Sequence, residues 1–505
     1  MNRSSRRFRP LASSSMLLAS LMSVSLLLFS LGTRTVIAEQ PKTQPVAPLA
    51  VVETERLSTH IKYLASDELE GRRSGTVGCK LAAEYISKHY KQLGLKTPNS
   101  SSYFQPFEFI DGVKFDAGSS FKAEVGDKKH EFKLGEDYIP LNFSSSGNIE
   151  AGKDQVALAG FGITASQLNY DDYAKLEAKD KVLIVLPFGP EGNNLQGKFG
   201  DYLSVRRKTL IAREKGAKAI LLVSEAENLK DRAKMADDDN FTDSGVVVLN
   251  ISKTVANELL KPSGRSVETL QKTASETGSG ESLLLSDISL KLSIKVTREM
   301  KTTENVIGWV EGNDEKLKNE YIVIGAHYDH LGLGGRSSLA PDRSGIHHGA
   351  DDNASGVAGL LELARVFSSN RELLKRSVIF VGFSGEEEGL LGSNHYVKNP
   401  PFPLERTVAM LNMDMIGRMR KDSMVVGGIG TSPVWKPMIE ELNKVRGFDL
   451  KLQEDGFGPS DHASFYGKDM PVLFFFTGNH EDYHRPSDTS DKINVVSEQA
   501  IVTLV

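Results

Sequence analysis

The fold class of this chain is decided by the stretch YIVIGAHYDH at residues 321–330. Its first six residues are an apolar run without polar alternation, which is typical of a strand that is buried on both faces of a sheet. Polar side chains follow at once, and two of them are histidines. The stretch therefore predicts a central strand whose carboxyl end presents polar residues.

Similar strands recur along the C-terminal part of the chain. Apolar runs predict strands at 377–383, 408–413 and 471–476, and a helical pattern occupies residues 355–367. Buried strands that alternate with helices imply a parallel or mixed sheet that is covered on both faces. The predicted fold class is α/β, with a mixed, largely parallel β-sheet flanked by helices.

A helical pattern also runs from residue 59 to residue 95, broken by a turn at 67–72 and stopped by Gly94. The single cysteine of the chain, Cys79, falls among the apolar positions of this pattern, so we interpret it as a small core residue. One cysteine excludes an intrachain disulfide and a thiolate-rich zinc site. Any metal must then be held by histidines and carboxylates.

The middle of the chain has a different character. Residues 135–295 contain short apolar strands around a helical pattern at 205–216, and no histidine–acid cluster with ligand spacing. We interpret this block as a non-catalytic, β-rich α/β insert. It would separate an N-terminal part of the main domain, residues 39–134, from the catalytic part, residues 296–505.

Residues 1–38 have the features of a secretory signal peptide. A basic start that includes Arg3 precedes an uncharged apolar run at 16–31, and small residues follow at 36–38. The run is shorter than the roughly 20 residues that a membrane span needs. We expect export to the periplasm or the medium, with an uncleaved membrane anchor as the alternative.

The charge of the mature chain is acidic. Residues 1–38 contain five arginines and no acid, so their removal changes the formal net charge from −5 to −10. An acidic protein is a poor partner for nucleic acid. We therefore expect no nucleic-acid partner, and the oligomeric state stays open.

Residue types that bind metals follow each predicted strand of the main sheet. His327 ends the first strand, the glutamates at 386–388 follow the second, and Asp414 follows the third. In open α/β sheets, ligands gather outside the carboxyl ends of the strands. Two loop residues, Asp352 and His484, add further donors. A lone histidine, an acidic turn or a helix cap would explain any one of them, but together they favour a metal site.

Five short motifs resemble those of the co-catalytic zinc aminopeptidases, which include bacterial leucyl aminopeptidases and the relatives of glutamate carboxypeptidase. They are GADDNASG at 349–356, SGEEEGLLGS at 384–393, NMD at 412–414, SDH at 460–462 and YH at 483–484. The resemblance implies the zinc exopeptidase fold and two zinc ions. In this family a cis peptide often follows the aspartate that corresponds to Asp352.

The resemblance covers roughly residues 50–130 and 296–505. The insert at 135–295 resembles a protease-associated domain, with a less specific match. In the family a full helix follows the last motif, and Val495 to Val505 provides only its start. We therefore expect either a short final helix or a chain that is a fragment.

The resemblance also assigns roles to individual residues. The implied ligands are His327 and Asp414 for one zinc, Glu387 and His484 for the other, and Asp352 as the bridge. Glu386 would be the general base, Tyr483 would polarise the scissile carbonyl, and Asp329 would hold the His327 imidazole. Two zinc ions bring four positive charges and the three ligand carboxylates return three negative ones. The site would therefore keep a positive charge that activates water and polarises a carbonyl.

Several other histidines lie near the motifs, at positions that the family does not use as direct ligands. They are His330, His347, His348, His462 and His480. We interpret them as residues that line or support the cleft.

The implied function is hydrolysis of amino-terminal residues from peptides. The alternative is a carboxypeptidase or dipeptidase on the same fold, which would need an arginine for the substrate carboxylate; Arg343, Arg418 and Arg485 lie near the motifs. A glutaminyl cyclase is disfavoured because that branch generally lacks the insert. A non-catalytic receptor-like relative is disfavoured because all implied ligands and the base are present.

Overall fold

The computed structural model describes residues 49–505, apart from residues 100, 226–228, 230–240, 336 and 342–344. The predicted signal peptide at 1–38 and Arg343 lie outside the described residues. In the part of the chain that the structure describes, no helix has the length and apolar character to cross a membrane.

The described strands, in chain order, are β1 (Phe104–Phe115), β2 (Ser120–Val125), β3 (Lys128–Phe132), β4 (Tyr138–Pro140), β5 (Gly147–Ala151), β6 (Val156–Ala159), β7 (Thr164–Ala165), β8 (Tyr170–Asp171), β9 (Val182–Val185), β10 (Ala219–Val223), β11 (Val247–Ile251), β12 (Ser282–Leu285), β13 (Ile288–Ile294), β14 (Val296–Val310), β15 (Tyr321–His327), β16 (Ser377–Phe383), β17 (Thr407–Met413), β18 (Ser423–Gly427), β19 (Asp449–Leu452) and β20 (Val472–Phe476). The described helices are α1 (Thr54–Leu64), α2 (Val77–Gln92), α3 (Val205–Glu214), α4 (Lys253–Leu260), α5 (Val267–Thr277), α6 (Gly356–Ser369), α7 (Leu391–Lys398), α8 (Trp435–Arg446), α9 (His462–Tyr466) and α10 (Val495–Leu504).

The main sheet has eight strands in the order β1-β14-β16-β15-β17-β20-β18-β19. Its centre is parallel, because β15 pairs in parallel with both β16 and β17, and β17 pairs in parallel with β20. β14 and β18 run antiparallel to their central neighbours. The prediction of a mixed sheet with parallel central strands is confirmed, and the strand predicted at 377–383 has the same bounds as β16.

Side chains of the central strands contribute to two apolar cores, one on each face of the sheet. In β15, Ile324 and Ala326 belong to the core that includes α1, α2, α6 and α10. Val323 points the other way, into the core that includes Tyr396 of α7 and Phe465 of α9. Because successive residues of a strand point to opposite faces, a strand between two helix layers must be apolar throughout. This double burial explains the unbroken apolar run that decided the fold class.

The middle of the chain forms two larger sheets with their own apolar core, and the short strands β7 and β8 pair with each other. A six-stranded sheet has the order β12-β6-β9-β10-β11-β4, and a four-stranded sheet has the order β3-β2-β13-β5. β2 and β3 precede residue 135, but they pair with each other, and β2 also pairs with β13, which lies at the other end of this block. The proposed division at 134/135 and 295/296 stays a prediction.

The helical pattern predicted from residue 59 to residue 95 forms two helices, α1 and α2, with a turn at the expected place. Gly94 has φ +69° just after α2, as a helix stop requires. Cys79 is buried in the core, as expected. Helix α1 begins five residues before the predicted start. Its N-cap residue, Glu53, makes no side-chain capping bond, so the sequence carries no capping signal at this point. The Glu53 N–H instead donates to Glu362 Oε2 (3.0 Å) of α6.

Candidate metal centre

Adjacent parallel strands bring His327 and Asp414 together. His327 is the last residue of β15, and Asp414 follows the last residue of the neighbouring strand β17. His327 Nε2 lies 3.3 Å from Asp414 Oδ1. The other oxygen of Asp414 accepts a hydrogen bond from Ser460 Oγ (2.7 Å), which fixes the orientation of the carboxylate.

Asp352 enters the same place from the loop before α6. Its Oδ1 lies 3.4 Å from His327 Nε2, and the Asp352–Asn353 peptide is cis, as the resemblance implied. The carboxylate of Asp488 accepts the backbone N–H groups of Asp351 (2.9 Å) and Asp352 (3.1 Å), and thereby anchors this loop. His327, Asp352 and Asp414 are all buried.

The second oxygen of Asp352 faces a second group of donors. Asp352 Oδ2 and Glu387 Oε2 each lie 3.2 Å from His484 Nε2. The other ring nitrogen of His484, Nδ1, lies 2.9 Å from the Ser337 carbonyl and donates to it, so Nε2 is the nitrogen that faces Asp352 and Glu387. Asp352 thus lies between His327 and His484, and its role as a bridging ligand stays a prediction.

His330 also belongs to this second group, and the sequence did not assign it to a metal. The residue is fully buried, with its Nδ1 2.7 Å from Glu387 Oε1 and 3.6 Å from Asp352 Oδ2. Its only signal in the sequence is its place three residues after His327, in the loop that ends β15. That spacing does not distinguish a ligand from a residue that supports one.

The donor chemistry of these residues fits divalent metal ions. Two groups, His327 with Asp352 and Asp414, and His330 with Asp352 and Glu387, each have donor atoms within 4.8 Å of one another. Imidazole nitrogens and carboxylate oxygens are ligands that zinc accepts. Buried carboxylates at these distances also need nearby positive charge.

The carboxylates of the site raise the pKa values of its histidines. Burial would lower the pKa of His484, but hydrogen bonds to Asp352 and Glu387 raise this pKa to about 10. For His327, too, the neighbouring Asp414 and Glu386 carboxylates outweigh burial and raise the pKa well above its usual value. The electrostatic environment of the site therefore favours cations.

The adjacent glutamates 386 and 387 have opposite environments. Burial, reinforced by the Glu387 and Asp414 carboxylates, raises the pKa of Glu386 well above its usual value against the opposing effect of His327. Burial would also raise the pKa of Glu387, but hydrogen bonds from His330 and His484 outweigh it and hold this pKa far below its usual range. Two neighbouring carboxyl groups with pKa values pushed apart are suited to different roles.

Asp329 is fully buried beneath this pair of glutamates. Its carboxylate accepts the Glu386 N–H (3.3 Å), the Glu387 N–H (3.4 Å) and the Ser74 hydroxyl (3.1 Å). Its Oδ1 lies 3.8 Å from His327 Nδ1, which is nearer to the Asp329 backbone carbonyl at 3.2 Å. The predicted role in holding the imidazole stays a prediction, and the observed contacts also tie Asp329 to the glutamate turn.

Tyr483 stacks on the neighbouring ligand candidate His484. The ring centroids lie 3.8 Å apart at an interplanar angle of 24°. Burial and the Asp352 and Glu387 carboxylates raise the pKa of the Tyr483 hydroxyl, so it stays protonated and can donate a hydrogen bond.

The other histidines named from the sequence have partners outside the two groups. His347 contacts Ser338 Oγ (2.8 Å), and His348 contacts Asp67 (2.8 Å). His462 stacks on a phenylalanine, and His480 faces the buried carboxylate of Asp351, the residue before Asp352.

Of the arginines, Arg418 lies 3.2 Å from Asp482 and 3.7 Å from Glu481, so its guanidinium already has carboxylate partners. Arg485 follows His484 and is partly exposed.

Comparison with known proteins shows what this chain is similar to. Residues 305–505 match the model of peptidase family M28. Aminopeptidase YwaD of Bacillus subtilis is 26% identical over 396 residues, which cover 75% of this chain and 74% of that protein. Leucine aminopeptidase 2 of Trichophyton rubrum is 29% identical over 237 residues, which cover 41% of this chain and 44% of that protein.

Solved structures share the fold. An aminopeptidase from Aneurinibacillus sp. strain AM-1 is 23% identical, with a TM-score of 0.52 over 90% of this chain and 92% of that one. A zinc aminopeptidase from Bacillus subtilis is 20% identical, with a TM-score of 0.50 over 91% and 94%. The motif resemblance is thereby confirmed: residues 305–505, which carry the site, match peptidase family M28, and the listed relatives include named aminopeptidases.

Proposed function

We propose that this chain is an aminopeptidase that holds two zinc ions and removes amino-terminal residues from peptides. The observation that carries the proposal is the Asp352 carboxylate, which has one oxygen 3.4 Å from His327 and the other 3.2 Å from His484. This arrangement suits a bridging carboxylate between two ions. It lies in the part of the chain that matches a peptidase family whose relatives include named aminopeptidases.

The ligands would be His327 and Asp414 on one side and Glu387 and His484 on the other, with Asp352 between them. In this proposal His330 donates its Nδ1–H to Glu387 Oε1 and orients the carboxylate, whose Oε2 faces His484. Zinc ions held there would polarise a peptide carbonyl and acidify a water molecule.

The protein's own groups would then move the proton and orient the substrate. The raised pKa of Glu386 makes its carboxylate a stronger proton acceptor than an ordinary glutamate. It would take a proton from the attacking water and deliver it to the leaving amine. The Tyr483 hydroxyl would donate a hydrogen bond to the carbonyl oxygen. Asp329 would fix the turn that carries Glu386 through the hydrogen bond to its N–H.

The charges around the site favour the amino end of a substrate. An ammonium group needs acidic neighbours, and Glu386 and Asp414 lie at the site. A substrate carboxylate would need a free guanidinium fork. Arg418, one candidate from the sequence, is already paired with Asp482 and Glu481.

One peptide in three forms tests this choice: with free ends, with an acetylated amino end, and with an amidated carboxyl end. We expect the free and amidated forms to be hydrolysed with similar kcat/KM. Acetylation should lower kcat/KM by about 10–100-fold, the equivalent of one lost charge-assisted hydrogen bond. Undiminished hydrolysis of the acetylated form, together with loss on amidation, would establish the carboxypeptidase alternative instead.

We also propose that residues 1–38 direct export and that the block at 135–295 is a protease-associated domain that shapes access to the site. The described residues of this block contribute no donor to either metal group. The amino-terminal residue of the exported protein tests the first point: it should lie near position 39, whereas an intact residue 1 would indicate an anchor.

A further inference from the structure

Arg72 lies in the turn between α1 and α2, and its side chain is fully buried (0% exposed). The sequence predicted only a turn at residues 67–72. Moving a guanidinium out of water costs much free energy unless its donors find acceptors. A buried arginine at this position therefore requires a specific set of partners.

The hydrogen-bond acceptors of this guanidinium are backbone carbonyls. Nε donates to the carbonyl of Tyr328 (2.8 Å), and Nη2 donates to the carbonyl of Gly349 (3.0 Å). Nη1 donates to the carbonyls of His348 (2.8 Å) and Leu64. Because a guanidinium is a rigid planar fork, these bonds fix the relative positions of the segments that carry the carbonyls.

Two of these segments carry the proposed metal ligands. Tyr328 directly follows His327, and Gly349 lies three residues before Asp352. The donor atoms of His327 and Asp352 lie 3.4 Å apart. The Arg72 guanidinium thus joins the end of β15 to the loop before α6, at the point where one ligand from each must face the same ion.

The backbone of the same turn strengthens this link. The His330 N–H donates to the Arg72 carbonyl (3.3 Å), and the Gly332 N–H donates to the Gly71 carbonyl (2.9 Å). Gly71 has φ +72°, and a Cβ there would lie 2.4 Å from the His347 carbonyl oxygen. Only glycine fits so close to the loop, which explains the glycine beside the arginine.

The positive charge of Arg72 also suits its position beside the carboxylates of the site. Burial lowers the pKa of Arg72 to about 10, against the opposing effect of the Asp352 and Asp329 carboxylates, so the side chain stays a cation at neutral pH. It lies beneath a group of carboxylates whose mutual repulsion it offsets. Asp488 complements it, because it binds the N–H groups of the Asp352 loop while Arg72 binds the carbonyls.

We propose that Arg72 is a positioning residue for the metal centre: its guanidinium holds the loops of His327 and Asp352 in the arrangement that binds the metal. The inference rests on the metal site of the proposed function, but not on the reaction. It predicts that Arg72 affects metal affinity more than it affects the stability of the fold.

The test compares Arg72→Gln and Arg72→Lys with a matched control, Arg365→Gln. Arg365 is also largely buried and donates to Glu362 (2.9 Å) and to a backbone carbonyl of the Val51 segment, away from the metal groups. Zinc affinity of each metal-free protein is measured by competition with a chromogenic chelator. Amide hydrogen exchange of residues 328–332 and 348–355 is measured on the same samples, with thermal unfolding as the check on folding.

We expect Arg72→Gln to weaken zinc binding by about 10–100-fold, as for lost partners of metal ligands. Arg72→Lys should weaken it less, because the ammonium keeps the charge but not the fork of donors. Exchange should accelerate in both loops of the Arg72 variants, and Arg365→Gln should change neither readout.

Wild-type zinc affinity and unchanged loop exchange in a folded Arg72→Gln protein would overturn the proposal. Failure of both Arg72 variants to fold, with Arg365→Gln folded, would also overturn it, because Arg72 would then serve the whole fold. If the wild-type protein binds zinc but hydrolyses no peptide, the proposed function fails while the role of Arg72 stands.

Discussion

Removal of the metal ions should abolish peptide hydrolysis, and added zinc should restore it. The expected loss is large, because polarisation of the carbonyl and acidification of water together contribute several kcal/mol to the rate of such reactions, on the order of 10³-fold or more. A strong chelator followed by desalting gives the metal-free protein. Activity and metal content by elemental analysis are then measured on the same sample, with close to two metals per chain expected in the active form.

The control is the fold of the metal-free protein, followed by circular dichroism, so that loss of activity is not confused with unfolding. Manganese or cobalt can bind the same ligands, and partial recovery with either is compatible with the proposal. Full activity in a folded, metal-free preparation would contradict it.

Glu386→Gln should lower kcat by about 10²–10⁴-fold, the usual effect of losing a general base. The substitution keeps the shape of the side chain and removes its proton acceptor. Metal content should be unchanged, because the adjacent Glu387 carboxylate is the one that lies near His484 (3.2 Å) and His330 (2.7 Å). Glu387→Gln should therefore lower the metal content as well as the activity.

The third glutamate of the run provides the matched control. Glu388 points to Arg73 (3.5 Å) and has no donor atom in either metal group, so Glu388→Gln should keep both metals and most of the activity. If Glu386→Gln loses metal while Glu387→Gln keeps it, the alignment of the three glutamates is wrong by one position.

The central strands of the main sheet and the residues at their ends could be predicted from the sequence, because each is marked by a local pattern. A strand between two helix layers must be apolar throughout, and β16 therefore begins and ends where its apolar run does. The end of such a strand is equally visible, which is why the sequence alone predicts that His327, the glutamates and Asp414 gather in one cleft; the pairing of His327 with Asp414 came from the resemblance. The roles of Glu386 and Glu387 needed the family resemblance, since three consecutive glutamates look alike.

The contacts that the sequence did not predict join residues far apart in the chain. Arg72 contacts Gly349 across 277 positions, and Asp488 contacts Asp352 across 136. Neither pairing leaves a spacing or a periodic pattern in the sequence. The sequence also did not predict β1. This strand mixes polar and apolar residues, and its pairing partner β14 lies far along the chain, beginning at Val296.

His330 shows a further limit of the sequence. The sequence indicates its position in the loop after β15, but its role depends on which oxygen of Glu387 it faces. In the structure it faces Oε1, while His484 faces Oε2. The two histidines thus face opposite oxygens of one carboxylate, a contact that no spacing in the sequence indicates.

Anomalous diffraction at the zinc edge, on crystals of the zinc-loaded protein, tests the central claim most directly. The account predicts two peaks about 3.5–4 Å apart, one near His327, Asp352 and Asp414, and the other near Asp352, Glu387 and His484. A single peak, a peak away from these residues, or a second ion bound by His330 in place of His484 would contradict it.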